Sequence, residues 1–335
     1  IIRDERQSAK VNYPLFDVLF GSICAVIAGG QGWTDIREYV LGHHEWFLKH
    51  GLFEKGVPVD DTFARLISNI DPAEFRDCFL GWMKAVHKLT GGEVVAIDGK
   101  TLRGSYDRND RQSTIHMVSA YSSANQLVLG QLKTDAKSNE ITAVPALLQM
   151  LDLRGAIVTI DAMACQTKIA KAITSKGGDY LLAVKGNQGK LAASIQSAFS
   201  SRRRDPIDWD RYQIEKQKGR IEARTCHVLS ARELEYRYYI SSAELTPEQA
   251  RDAIRAHWGI ESMHWILDVS MDEDACQIYR ENAAENMAAL RHMALNMLRA
   301  ESTKISVPMK QKRCMMKLAY LEQVLIAGFS SMDKY

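Results

Sequence analysis

The sequence predicts an α/β fold, a mixed sheet flanked by helices, on three observations. Two short apolar runs each end in an acid: residues 94–97 run into Asp98, and residues 156–160 run into Asp161. Three strand-like segments follow one another before any helix of that region, and beyond them helices and strands alternate. The first ninety residues, by contrast, carry only helical periodicity.

In chain order, Phe16, Leu19, Phe20, Ile23, Val26 and Ile27 recur at spacings of three and four, the apolar stripe of an amphipathic helix. Residues 34–41 and 44–50 continue that pattern, and Pro58 to Thr62 reads as a loop and cap before Phe63, Leu66 and Ile67. Asp71-Pro72 opens a helix with Phe75, Phe79, Trp82 and Val86 on one face, and Thr90-Gly91-Gly92 stops it. Residues 94–97 form a buried strand, and residues 115–121 and 126–132 form two more, joined by a turn at Ser122 to Asn125. A helix at 141–150, a strand at 156–160, a helix at 166–176 and a strand at 179–184 complete the series. An antiparallel meander leading into βαβ crossovers is the ribonuclease H-like layout. Strand-like runs at 212–215, 222–229 and 236–241 predict a β-rich insertion at about 200–245. Helical periodicity resumes at Pro247, and a long apolar-faced helix follows from Ala284 to Leu298. The expected division is a helical N-terminal domain at 1–90, a mixed α/β domain at 91–300 with the β-rich insertion, and a basic tail at 301–335.

The chain has 335 residues, 46% apolar and 25% charged, with a net charge of +2, which excludes a disordered or fibrous protein. Neighbouring cysteines are at least 38 positions apart, so no zinc-ribbon spacing exists and scattered free thiols fit a reducing compartment. The longest apolar run, 18–29, is too short to span a membrane. The expectation is a soluble cytoplasmic protein. The chain begins at Ile1 rather than Met, which leaves room for residues ahead of it. Basic charge is concentrated at 185–224, where ten Lys and Arg face five Asp and Glu, densest at Arg202-Arg203-Arg204. That block is either a solvated face or a surface that contacts phosphate.

Asp98 and Asp161 follow strands whose carboxyl ends border the crevice where α/β proteins bind ligands. Two carboxylates meeting there repel unless a cation lies between them, and Mg²⁺ takes one or two carboxylates plus substrate phosphate. The plainer alternative for Asp161 is a helix cap over 162–167. The stretch 257–268 offers a third acid, since His257, Glu261, His264 and Asp268 share one helical stripe; the plainer alternative is a solvated face. The two histidines are seven apart, not the four of a zinc helix. Gly99-Lys100-Thr101 lacks the first glycine of a phosphate loop, and no GxSxG is present.

These residues resemble the DDE transposases of bacterial insertion sequences, in the H-repeat-associated branch. The likeness rests on Val95 to Gly104, Thr159-Ile160-Asp161-Ala162 with Gln166, Gly219 to Arg224, Ile254 to Glu261, and His264-Trp265 with Leu267-Asp268-Val269. Glu273-Asp274, Leu290-Arg291 and Ala294-Leu295-Asn296 extend it, so that it covers nearly the whole chain. The resemblance implies a catalytic and metal-binding triad of Asp98, Asp161 and Glu261. It implies Mg²⁺ (Mn²⁺ as a substitute), with Asp98 bridging two ions about 3.5–4 Å apart. It further implies cleavage of element ends in double-stranded DNA, transfer of the freed 3′-OH to target DNA, and a homodimer. It also implies 91–300 as the catalytic domain, 1–90 for DNA binding or dimerisation, and a bacterial cytoplasmic location, nucleoid-associated when bound to DNA. A transposase-derived DNA-binding protein or a metal-dependent nuclease is the alternative. Related transposases often carry Tyr, Arg and Lys at minus seven, minus four and plus seven from the glutamate. Ile254, His257 and Asp268 stand there instead, so those DNA contacts do not transfer, and His257 replaces the arginine only in part. Arg202, Arg203, Arg204, Arg220, Arg224 and His257 are the DNA-binding candidates. Arg220 and Arg224 alternate with Glu222, which alternatively pairs with them as a surface ladder.

Overall fold

The structure, a computed structural model, describes residues 2–7, 11–107, 114–134, 140–202, 213–217, 220–224 and 237–330. Five helices come first: α1 (Leu15–Ile27), α2 (Trp33–Gly42), α3 (His44–Lys49), α4 (Asp60–Asn69) and α5 (Pro72–Val86). Pro72 sits in the first turn of α5, where its missing N–H costs nothing, and the Asp71 side chain accepts from Ala73 N at 2.8 Å. Phe47, Phe53, Phe63 and Phe79 are buried together in this region. Phe53 takes a left-handed φ of 55°, held there by its N–H donating to the buried Asp17 carboxylate at 2.7 Å.

The sheet follows: β1 (Val94–Leu102), β2 (Ile115–Ser122), β3 (Leu127–Thr134), α6 (Glu140–Met150), β4 (Ile157–Ile160), α7 (Thr167–Ser175), β5 (Asp179–Val184) and α8 (Gly189–Arg202). Its order is β3-β2-β1-β4-β5, closed by β8 (Tyr238–Ser241) as a sixth strand. The first three strands pair antiparallel, β4 and β5 run parallel to β1, and β8 returns antiparallel on β5. This is the ribonuclease H-like sheet. Val95, Ala96 and Ile97 are fully buried because α/β strands are covered on both faces, which explains their unbroken apolar run.

Two expectations need correction. The strand expected at 236–241 belongs to the main sheet rather than the insertion. Its backbone pairs with Leu181 through Val184 and covers what would be the open edge of β5. The insertion itself contains β6 (Gln213–Gln217) and β7 (Arg220–Arg224), a separate antiparallel pair. Second, the stretch expected as a basic tail at 301–335 is largely packed helix over its described residues, 301–330. It contains α12 (Val307–Met316) and α13 (Leu318–Phe329), with Cys314, Leu321 and Val324 fully buried. Part of its positive charge is internal: the buried Lys310 ammonium donates to Leu298 O at 2.7 Å and lies 3.1 Å from the Glu301 carboxylate.

The remaining helices are α9 (Pro247–His257), α10 (Gly259–Ser270) and α11 (Ala283–Ala300). Helix α11 runs through the middle of the molecule, packing on α1, α5, α13 and β3. Its Asn296 side chain accepts from Val128 N at 2.9 Å and donates to Val128 O at 2.8 Å, satisfying the edge strand β3 beside a register shift. Asn286 donates to Ile67 O and Ile70 O at the end of α4. The N-terminal helices, the sheet and α11 share one buried apolar core.

Candidate active site

Parallel pairing of β1 and β4 ends at Ile97↔Ile160, so Asp98 and Asp161 are the next residue on each strand, side by side at one level. Strand β1 continues past that point, paired with β2 through Asp98↔Ser119. The step from fully buried Ile97 to part-exposed Asp98 follows from β4 stopping there.

Glu261 arrives from α10. The polar stripe expected on one continuous helix is instead split. Helix α9 starts with a capping box, in which Thr246 Oγ1 accepts from Gln249 N at 3.2 Å and Gln249 Oε1 accepts from Thr246 N at 2.9 Å. It ends at His257, the chain breaks step at Trp258, and α10 begins at Gly259. Gly259 is packed on the sheet: a Cβ there would sit 3.2 Å from the Tyr121 ring. Glu261, in the first turn of α10, is exposed, while Ile260, Met263 and Leu267 face the core.

Asp98, Asp161 and Glu261 line one cleft of about 570 Å³, together with Thr159, Lys185, Gln196, Arg237, His257 and Trp258. Asp161 also acts as the cap weighed for it: its Oδ1 accepts from Ala162 N at 2.6 Å and opens a single 3-10 turn. Lys185 follows β5, the next parallel strand, and its ammonium reaches the same Oδ1 at 3.3 Å. Position at a strand end was the available signal for Lys185, and the sequence reading had not singled it out.

His257 Nδ1 lies 2.9 Å from Thr159 Oγ1, and burial pulls its pKa down, against the raising effect of Asp161. On α10, His264 Nδ1 stands 3.7 Å from Asp98 Oδ2. Burial, then Lys100 and His292, push the pKa of His264 down to about 4, so the ring is neutral at pH 7 and the contact with Asp98 is not an ion pair there. Behind it, Lys100 is buried to 9% side-chain exposure and pairs with both Asp268 and Glu273.

Of the remaining basic candidates, Arg202 is the last residue of α8 and Arg203 and Arg204 lie outside the described residues. Arg220 and Arg224 are in β7, opposite Gln217 and Gln213, and Glu222 is opposite Glu215. Register therefore sets Glu222 across from another acid.

Among the described residues, no three His, Cys, Asp or Glu are drawn into a ready-made ion-holding cluster. The donor set in the cleft nonetheless fits Mg²⁺ or Mn²⁺. It is three carboxylates, part or fully exposed, which suits a hard cation that keeps water and takes further ligands from phosphate.

The ribonuclease H-like sheet thus carries two carboxylates at adjacent strand ends, with a glutamate from a following helix lining the same cleft. The family model described as Transposase DDE domain matches residues 89–297, and one described as DDE_Tnp_1-associated matches residues 1–83. The chain belongs to the DDE transposase family. It is 44% identical to "Putative transposase YncI" of Escherichia coli O157:H7, over 97% of this chain and 92% of the relative. It is equally 44% identical to "H repeat-associated putative transposase YhhI" of Escherichia coli strain K12, over 97% of this chain and 96% of the relative. A piggyBac transposase in a synaptic complex with hairpin DNA overlaps 96% of this chain and 76% of that one, at 13% identity. Its TM-score of 0.48 is too low to place any residue of this site. Among the described residues, no helix is long and apolar enough to cross a membrane.

Proposed function

We propose that the chain cuts double-stranded DNA at the ends of a mobile element and joins the freed 3′-OH to target DNA. The observation that carries this reading is the meeting of Asp98, Asp161 and Glu261 in one cleft. Asp98, Asp161 and Glu261 would hold the divalent ions, which when bound supply a nucleophile at neutral pH and charge stabilisation for the leaving oxygen.

The chain's own residues do the rest. Lys185, on the rim beside Asp161, offers a cation to the phosphate and exchanges one anionic partner for another when DNA enters. The His264 ring, 3.7 Å from Asp98 Oδ2, packs beside that carboxylate on the α10 side and fixes its position. Thr159 and His257 hold each other on the floor between β4 and α9 and fix that wall of the cleft. In the first step water attacks phosphorus, the P–O3′ bond breaks, and the 3′ oxygen leaves with a proton. In the second step that 3′-OH attacks a target phosphodiester and displaces a target 3′-OH, so the number of phosphodiester bonds is unchanged. Paired ends call for at least two copies of the chain.

The test sequences the DNA flanking the coding region and uses a duplex carrying whatever inverted repeats it holds. Mg²⁺-dependent nicking at the repeat, followed by a strand-transfer product with plasmid DNA, is expected. Binding without nicking rejects the enzyme, and nicking without transfer leaves a nuclease.

A further inference from the structure

We propose that Lys100 is a positioning residue: a buried clamp from β1 to α10 and the loop after it that sets Glu261 opposite Asp98. This rests on the carboxylate reading above and deepens it. Lys100 is two residues beyond Asp98 on β1, so both side chains emerge on the same face of the strand, the face that meets α10. Along α10, Glu261 is followed by His264 three residues on and Asp268 four further, successive positions of one helical stripe. His264 stands 3.7 Å from Asp98, and Asp268 is bound by Lys100. The strand and helix are thus matched rung by rung, with Asp98 at His264 and Lys100 at Asp268. That register places Glu261 one turn nearer the cleft.

The ammonium also binds Glu273 at 2.5 Å, and Glu273 is 1% exposed. Glu273 lies in the segment that follows α10, whose backbone is itself pressed on the end of β1. A Cβ at Gly104 would fall 2.6 Å from Asp274 O and 2.7 Å from Cys276 O. The glycine allows that close approach, and the approach delivers Glu273 to Lys100. Without the ammonium, the buried Glu273 and half-buried Asp268 carboxylates would face each other, each raising the cost of ionising the other. The escape is outward movement of α10, which carries Glu261 with it.

The test compares four full-length proteins: wild type, Lys100→Met, Lys100→Arg, and the charge-neutral Lys100→Met/Asp268→Asn/Glu273→Gln. The neutral triple removes the clamp without leaving buried unpaired acids, so it keeps the question answerable if Lys100→Met fails to fold. Mn²⁺ affinity is read by titration of the metal alone, with Tm in parallel and end cleavage as a third measurement. The expected result is at least tenfold weaker Mn²⁺ binding in the folded triple, with wild-type affinity largely restored in Lys100→Arg. A folded triple with Mn²⁺ affinity and cleavage within twofold of wild type overturns the clamp. An Asp98→Asn control that binds Mn²⁺ and cleaves as wild type instead overturns the carboxylate reading beneath it.

Discussion

Two carboxylates five residues apart on one stretch of chain have opposite surroundings. Glu93, just ahead of β1, is 5% exposed, and its oxygens receive Thr90 N at 3.0 Å, Asn125 Nδ2 at 3.1 Å and the Ser122 hydroxyl, with His87 Nε2 at 3.4 Å. Burial alone would raise its pKa, but these donors outweigh burial and bring it down to about 2. Asp98 lies past the point where β4 ends and opens to the cleft beside a neutral imidazole. Glu93 ties the amino end of β1 to the β2–β3 turn, while Asp98 keeps its charge accessible at the other end. The difference teaches that an acid beside a buried strand becomes structural or available according to what ends next to it.

The sharpest break of this comparison is substitution of the available acid. Asp98→Asn is expected to lower end cleavage by about a thousandfold, roughly 4 kcal/mol of barrier, with DNA binding and Tm nearly unchanged. Asp161→Asn should lose cleavage similarly but also lose its cap on Ala162, so a modest fall in Tm should accompany it.

Glu93→Gln should do the reverse. About 2–3 kcal/mol of stability is lost with the charged acceptor, while cleavage per folded molecule stays within a few-fold. Denaturant titration and single-turnover cleavage of the same preparation separate the two effects.

Acid sharpens the contrast further. His292, 3% exposed, is pushed down to about 4 by burial, against the raising effect of Glu273. A base whose folded pKa lies below its ordinary 6.5 adds stability above pH 6.5 and loses it as pH falls through about 4. Glu93 adds stability above its ordinary 4.5 and loses it as pH falls toward 2. Unfolding measured from pH 7 to pH 2 should therefore weaken in two stages. His292→Gln should flatten the upper stage by about 1–2 kcal/mol and Glu93→Gln the lower one.

The smallest effect is expected at the rim. Lys185→Ala should weaken DNA binding by about tenfold and reduce the salt dependence by about one phosphate contact, measured as the slope of log affinity against log salt.

Much of this contrast was legible in the sequence. Runs of apolar residues buried on both faces mark β1 and β4, and the acids after them mark where burial stops. Spacing put Glu261 on one helical stripe with His257, His264 and Asp268, and only the family resemblance singled it out as the third acid. The break at Trp258 was not legible, because His257 through Asp268 keep helical spacing across it and the break follows from packing of Gly259 on Tyr121. Residues 236–241 read as a strand, but which edge that strand completes is a long-range fact. Likewise the pairing of Lys100 with Glu273, 173 positions apart, leaves no local pattern. The C-terminal helices were hidden by a count of charges, although Leu321, Val324 and Leu325 carry helical spacing.

The claim at the centre is that Glu261, exposed and drawn from a separate helix, acts with the two strand-end aspartates. Single-turnover cleavage of duplex DNA bearing the element's own end, by wild type and by Glu261→Gln in Mg²⁺ and in Mn²⁺, tests it most directly. The account predicts a folded, DNA-binding variant that makes no detectable cut in either metal. Cleavage by Glu261→Gln at the wild-type rate would contradict it.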